Sequence, residues 1–435
     1  MAQTRHVVIV GGGFGGLETA KGLARAPVRV TVIDRQNHHC FQPLLYQVAT
    51  ATLSPADVAW PIRGILSRQA NVRVMMAEVG GVNLDRRVVL TSAGEVAYDD
   101  LVLATGATHA YFGNDEWAVH APGLKRVEDA TEIRRRILIA FERAEVAGSG
   151  AERDRLMTFV VVGAGPTGVE MAGAIADMAR EALARDFRNI DPRQARILLL
   201  EAGPRALAAF PPGLSAYTAR ALEARGVELL FGEAVTAIDA AGVQLGARRI
   251  EAGAVIWAAG VAASPAARWI GAPLDRAGRV MVRPNLTAPD RDDVFVIGDT
   301  AHVLQDGHPV PGVAPAAKQM GRYVAAVLRA RAEGRAPPPL FRYRHQGDLA
   351  TIGRKAAVVR LGGVRLTGFL AWLFWSVAHV YFLIGLRNRI AVAFSWAWDY
   401  VSFGRRARLI TEAARFAEQP APAAATDAAK ARIWG

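Results

Sequence analysis

The chain predicts an α/β protein with two dinucleotide-binding halves, the second inserted into the first. Two observations carry this: a strand–glycine–helix–strand–acid unit opens the chain, and the same unit recurs after residue 158. In the first unit Val7-Val8-Ile9-Val10 are apolar and β-branched, as a doubly buried strand requires. Gly11, Gly13 and Gly16 follow at GxGxxG spacing, with Phe14 and Gly15 between them, and Leu17-Glu18-Thr19-Ala20 starts a helix. One glycine turns the chain tightly, one leaves bare backbone for a pyrophosphate, and one lets helix lie close to strand. The helix turns its free N–H groups and positive dipole end toward the phosphates. Val28–Ile33 is the next strand. It ends at Asp34, beside Arg35, where a carboxylate about 20 residues on takes ribose hydroxyls.

The second unit runs from Thr158-Phe-Val-Val-Val162 into Gly163, Gly165, Pro166, Thr167 and Gly168, then Val169-Glu170. Its second strand, Arg196–Leu200, ends at Glu201. The acid comes late because residues 176–195 extend the helix and add a charged loop. Two such sites imply two nucleotides, and their usual joint use is hydride transfer from a nicotinamide to a flavin.

The length, 435 residues, suffices for two or three domains with full cores. A net charge of +12 calls for an anionic partner: nucleic acid, an acidic protein or a membrane surface. Cys40 is the single cysteine, which excludes a disulfide framework, a cysteine metal cluster and a cysteine-pair electron relay. No signal peptide precedes the first strand, so a reducing, cytosolic compartment is expected.

Asn37-His38-His39 opens a loop expected to pack over the first cofactor, since adjacent histidines rarely reach one metal ion. Residues 71–79 and 86–91 read as a small β layer. Asp99–Ala104 is a buried strand whose turn at Thr105-Gly106 is a third contact with the first nucleotide. Its counterpart is Ala254–Ala259 with Gly260. Residues 128–147 form a charged helix crossing to the second half. The chain returns at Asp293–Ile297, stopping at Gly298-Asp299, where α/β sheets bind ligands. Ala314-Pro315-Ala316-Ala317-Lys318-Gln319 opens a helix whose dipole would favour an anionic reduced flavin, with Ala316 among the cofactor contacts. The expected domains are 1–120 with 285–335 for the first nucleotide and 121–284 for the second.

Beyond Pro339 the character changes. Arg342 to Arg408 hold eleven Lys/Arg and two Asp, a net +9. Leu366 to Leu386 is free of charge apart from His379. Its length permits a transmembrane helix; its aromatics and flanking basic residues favour a helix lying in the interface, with a buried core helix or dimer seam as the third reading. Residues 336–412 are therefore a membrane-associated module, and 413–435 a disordered tail.

These residues resemble the type II NADH:quinone oxidoreductases, the non-proton-pumping NADH dehydrogenases. The similarity spans roughly 5–410, through Asn37–His39, Phe41–Thr50, Gly163–Glu170, Trp257–Val261, Val296–Asp299, Gly353-Arg354 and Gly385–Arg389. It implies two Rossmann-like domains with a C-terminal membrane-anchoring module, a homodimer, and a place on the cytoplasmic face of the bacterial inner membrane. It implies FAD at Gly11–Gly16, Asp34 and Asp299, and NADH at Gly163–Gly168 and Glu201. It makes Glu170 a candidate for proton delivery, beside the alternative of a carboxylate stabilising the helix N-terminus. Where many members have Ala-Gln, this chain has Ala314-Pro315, so quinone contact falls to Gln319, Lys318, backbone or apolar packing. The expected function is NADH:quinone oxidoreduction through FAD at an anionic membrane surface, without nucleic acid or metal. The rivals are a soluble FAD-dependent NADH reductase of a ferredoxin-like protein and a binding protein sensing the NADH/NAD ratio.

Overall fold

The computed structural model describes residues 4–402 and 408–410; the expected tail at 413–435, Phe403, Arg405 and Arg406 lie outside the described residues. The first sheet has six strands in the order Thr287–Ala288, Arg291–Val296, Asp100–Leu103, Arg5–Val10, Val28–Asp34, Val72–Met76. All pair in parallel except the short first one. The second sheet repeats that plan with four parallel strands: Ala254–Trp257, Thr158–Val162, Arg196–Glu201 and Val227–Phe231. Central strands are apolar throughout because both faces are covered: Val7, Val8, Ile9, Phe159, Val160 and Val161 are fully buried.

The matching strand orders correct one expectation. Val72–Met76 is no part of a small β layer; it is the parallel edge strand of the first sheet, the counterpart of Val227–Phe231. As an edge strand it is only half covered, which gave it the look of an exposed layer. The small antiparallel layer is Val79–Asn83, Val88–Thr91 and Gly94–Ala97, and the second half carries a matching one at Val235–Asp239, Gly242–Leu245 and Arg248–Glu251.

The second sheet lies in sequence between strands Asp100–Leu103 and Arg291–Val296, which are neighbours in the first. The outgoing chain at Ala107–His109 pairs antiparallel with the returning chain at Val261–Ala263. Tyr111 stacks on Trp257 at 5.1 Å, and the Trp257 indole N–H donates to Ala110 O at 2.9 Å. This ribbon holds the crossings together. The linking helix, Val127–Glu145, buries Ile133, Ile137, Leu138 and Phe141.

The C-terminal module is a three-stranded antiparallel sheet, Asp348–Thr351, Ala357–Leu361 and Val364–Thr367, followed by helices Gly368–Phe382 and Leu386–Ser402. The uncharged run is thus divided: its start is strand, its middle a 15-residue helix, and it breaks at Gly385, whose φ of +84° suits only glycine. Fifteen residues reach about 22 Å, short of a hydrocarbon core of about 30 Å. Among the described residues no helix is long and apolar enough to cross a membrane. One face of the helix packs inward through Ala371, Trp375 and Ser376, while Leu370, Leu373, Val377 and Tyr381 form an exposed stripe one turn apart.

Candidate active site

Each half builds its nucleotide cradle in the same way. Gly11 has φ +106° and a Cβ there would stand 2.3 Å from Ala104 O; a Cβ at Gly16 would stand 1.9 Å from Gly11 O. Gly13 faces open space. In the second loop Gly163 has φ +100°, a Cβ on Gly168 would meet Gly163 O at 1.8 Å, and Gly165 faces open space. So the outer glycines fix strand, loop and helix together, while the middle one leaves room for a ligand.

The strand-end acids repeat this correspondence. Asp34 accepts from Gly12 N at 2.6 Å and Gln36 N at 2.8 Å. Glu201 accepts from Ala164 N at 2.7 Å and Gly203 N at 2.8 Å. Both carboxylates are anchored to backbone, and their remaining lone pairs can take ribose hydroxyls. Burial raises the Asp34 pKa, against which the two N–H groups favour the charged form. Arg35 is exposed and Pro166 stands exposed at the mouth of the second loop.

Thr105, Gly106, Gly298 and Asp299 are brought together at the C-terminal edge of the first sheet. Thr300 donates to Gly106 O at 3.1 Å and its hydroxyl also meets that of Thr105. Asp299 accepts no hydrogen bond from a described residue, and a Cβ at Gly312 would lie 3.3 Å from its Oδ1. At Gly260 a Cβ would strike the Phe112 ring at 2.6 Å, so a glycine fits the crossing ribbon there. Gly15 likewise packs on Ile297 and Ala317 O, with Gly321 closing on Gly15 O, which seats the first helix on helix Ala314–Ala332.

That helix also positions Gln319, Ala316 and Lys318. Gln319 clips the incoming chain: its amide donates to Arg344 O and accepts from Arg344 N, both at 2.9 Å, which leaves a second N–H and a second lone pair. Ala316 is buried, with its N–H on Val313 O at 3.0 Å. Lys318 is held between rings, with Nζ 5.3 Å from the Phe14 centroid and 5.0 Å from that of Phe382. Burial lowers its pKa. It joins the first glycine loop to the end of the exposed C-terminal helix.

Glu170 is the fifth residue of helix Pro166–Asp177, a full turn beyond the N-terminus, where the dipole has largely fallen away. Helix stabilisation therefore does not account for it. Burial pushes its pKa up to about 8, and among the described residues its carboxyl meets one donor, Thr351 N at 3.5 Å. Thr351 also lines a cavity of about 100 Å³ with Tyr46, Gln47, Trp372, Trp375, Ser376 and Trp396. Trp396 donates to Gln47 Oε1 at 2.7 Å, and Trp375 stacks on His379 at 4.0 Å. The cavity lies between the second glycine helix and the two C-terminal helices.

A pyridine nucleotide-disulphide oxidoreductase model matches residues 5–321 and an NDH2 C-terminal domain model matches 345–406. The type II NADH:quinone oxidoreductase NdhA of Mycobacterium tuberculosis is 47% identical over 422 residues, covering 93% of this chain and 88% of that protein. A second one from the same organism, Ndh, is 44% identical over 429 residues, covering 95% and 92%. The chain belongs to the type II NADH:quinone oxidoreductases. The structure of NDH2 from Plasmodium falciparum in complex with NADH superposes with a TM-score of 0.85 at 19% identity, covering 94% of this chain and all of that one.

FAD and NADH are the cofactors of this type II NADH:quinone oxidoreductase, and two glycine cradles with open centres and anchored acids fit them. The cavity escaped sequence reasoning in part. Tyr46 and Gln47 stand in a motif carrying the resemblance, Trp375 lies among the aromatics of the uncharged run, and Trp396 lies beyond it. Nothing in the sequence tied them to Thr351 or to each other.

Proposed function

We propose that this membrane-associated NADH dehydrogenase reduces its quinone at the aromatic cavity, with Glu170 as the proton donor. FAD supplies a two-electron carrier between the two substrates when bound. Gly11–Gly16, Asp34 and Asp299 hold it, and Gly163–Gly168 with Glu201 hold NADH. The observation that carries the reading is Thr351, which lines the cavity and faces Glu170 with its N–H. A carboxyl with a pKa of about 8 keeps its proton at neutral pH, so it can deliver one to a developing quinol oxygen. The aromatic walls accept a flat ring. Lys318 adds a positive charge on the first-loop side, and Gln319 keeps a second N–H for the quinone.

The exposed stripe of the C-terminal helix lies down on the anionic cytoplasmic leaflet, apolar side inward, so a long-tailed quinone enters from the bilayer. The working unit is a homodimer. A ferredoxin-like acceptor would need a polar docking face, whereas the helix beside the cavity exposes Leu370, Leu373 and Val377. The test is NADH oxidation with a long-tailed quinone in membranes, a short water-soluble quinone, and ferricyanide. Trp375→Ala should raise the quinone KM about tenfold or more, the scale of a lost aromatic contact, and leave ferricyanide reduction unchanged. An unchanged quinone KM would overturn the assignment of the cavity.

A further inference from the structure

Three hydroxyls meet at the C-terminal edge of the first sheet, and one of them comes from the second half. Ser264 Oγ lies 2.5 Å from Thr105 Oγ1, which lies 3.1 Å from Thr300 Oγ1, and Thr300 donates to Gly106 O at 3.1 Å. Each hydroxyl has one proton to give. Thr300 gives its own to Gly106, so the Thr105–Thr300 contact carries the Thr105 proton and the Ser264–Thr105 contact carries the Ser264 proton. The bonds thus run in one direction, from Ser264 through Thr105 and Thr300 to Gly106, and members of such a chain strengthen one another. The Ser264 N–H donates to the same Gly106 O at 3.1 Å. Ser264 therefore holds the Thr105-Gly106 turn by both its side chain and its backbone.

The segment that ends at Ser264 borders both cradles. A Cβ on Gly11 would lie 3.2 Å from Thr105 N, so the turn that Ser264 holds adjoins the first glycine loop. A Cβ on Gly163 would lie 2.5 Å from Ala259 Cα, so the chain entering Val261–Ala263 adjoins the second. Val261–Ala263 runs between the two, paired with the outgoing chain at Ala107–His109, and Ser264 is the next residue. Hydride transfer requires donor and acceptor at a near-attack separation, and a misplacement of about 1 Å can slow such a step about a hundredfold. We propose that Ser264 is a positioning residue for hydride transfer from NADH to FAD, tying the flavin turn to the nicotinamide half. The inference rests on the placing of FAD at Gly11–Gly16, which Gly13→Leu tests separately. That side chain enters the open centre of the first cradle and should block FAD uptake.

The experiment compares the wild-type holoenzyme with Ser264→Ala, which loses the hydroxyl, and Ser264→Thr, which keeps it. Stopped-flow absorbance follows bleaching of the flavin by saturating NADH. ADP-ribose is titrated into the FAD-loaded enzyme, and FAD into protein stripped of flavin. In Ser264→Ala flavin reduction should slow about tenfold or more. Its FAD dissociation constant should rise no more than about fivefold, the scale of one lost hydrogen bond, and its ADP-ribose constant should hold. Ser264→Thr should recover most of the rate. An unchanged rate of flavin reduction in Ser264→Ala would overturn the proposal, as would equal slowing in Ser264→Thr, since the hydroxyl would then not be the cause. Slowing matched by an equal loss of ADP-ribose binding would also overturn it, because the second half itself would then be disturbed.

Discussion

Glu201 accepts the backbone N–H of Ala164 at 2.7 Å, so the acid that ends the second strand is fastened to the second glycine loop. Such a carboxylate takes a ribose 2′-hydroxyl and repels a 2′-phosphate. Arg205, near in sequence, has its guanidinium tied to Phe210 O at 2.9 Å and Ala208 O at 2.7 Å. The enzyme should prefer NADH over NADPH strongly. Glu201→Gln keeps an acceptor for Ala164 and removes the charge, so the preference should narrow by roughly tenfold or more, through a lower KM for NADPH and a higher one for NADH. Steady-state kinetics with both cofactors checks this, and equal use of the two by wild type would refute the role.

Glu170 gives a pH signature. Its folded pKa of about 8 lies above the ordinary 4.5, so between these values the folded protein holds a proton that the unfolded chain has released. The resulting stability is complete below about pH 4.5 and is lost as pH rises through 8. Glu170→Gln cannot lose a proton. Its melting temperature should match that of wild type near pH 4 and exceed it by several degrees at pH 9, a difference of a few kcal/mol at most. Quinone reduction by wild type should fall above about pH 8, while the slower variant stays flat there. A melting difference independent of pH would mean that this carboxyl is not held protonated.

How far the sequence carried depended on how local each feature is. The two cradles were legible because strand, glycines, helix and acid follow within one βαβ segment, and Asp34 and Glu201 sit where that geometry demands. The clip at Gln319 was hidden because its partner, the Arg344 backbone, lies beyond a proline-rich break. Val72–Met76 was misread because half burial at a sheet edge resembles an exposed strand. The Glu170–Thr351 contact spans 181 residues and joins two domains, so no local pattern announces it.

Asp299 stands at the C-terminal edge of the first sheet beside the Thr300–Gly106 contact, with no described hydrogen-bond donor. A half-buried carboxylate left free in this way is available to the hydroxyls of the FAD chain. Asp299→Ala should therefore lower flavin retention, raising the dissociation constant of FAD by roughly tenfold, with ADP-ribose binding in the second half unchanged. Flavin absorbance after gel filtration and a titration of each ligand measure the two separately. Full flavin content with unaltered turnover would count against the role.

The membrane face can be separated from the fold. Removing everything after Leu340 would strip Ala350, Ile352, Val358, Val359, Ala371 and Trp375 from a buried core shared with the second half, so such a truncate should aggregate and would say little about membranes. Leu370, Leu373 and Val377 point outward on the helix, between 47% and 67% exposed, so replacing all three with Gln changes the surface and spares the packing. Each apolar side chain buried in the interface contributes roughly 1.5–3 kcal/mol, and nearby basic residues such as Arg389 about 1 kcal/mol each against anionic lipid. The triple variant should keep its FAD and its ferricyanide activity, wash from membranes at a salt concentration that leaves wild type bound, and lose most turnover with long-tailed quinone while reducing a short soluble quinone normally. Flotation with anionic and neutral vesicles measures the binding. Equal retention of variant and wild type on both would show that this stripe does not carry the attachment.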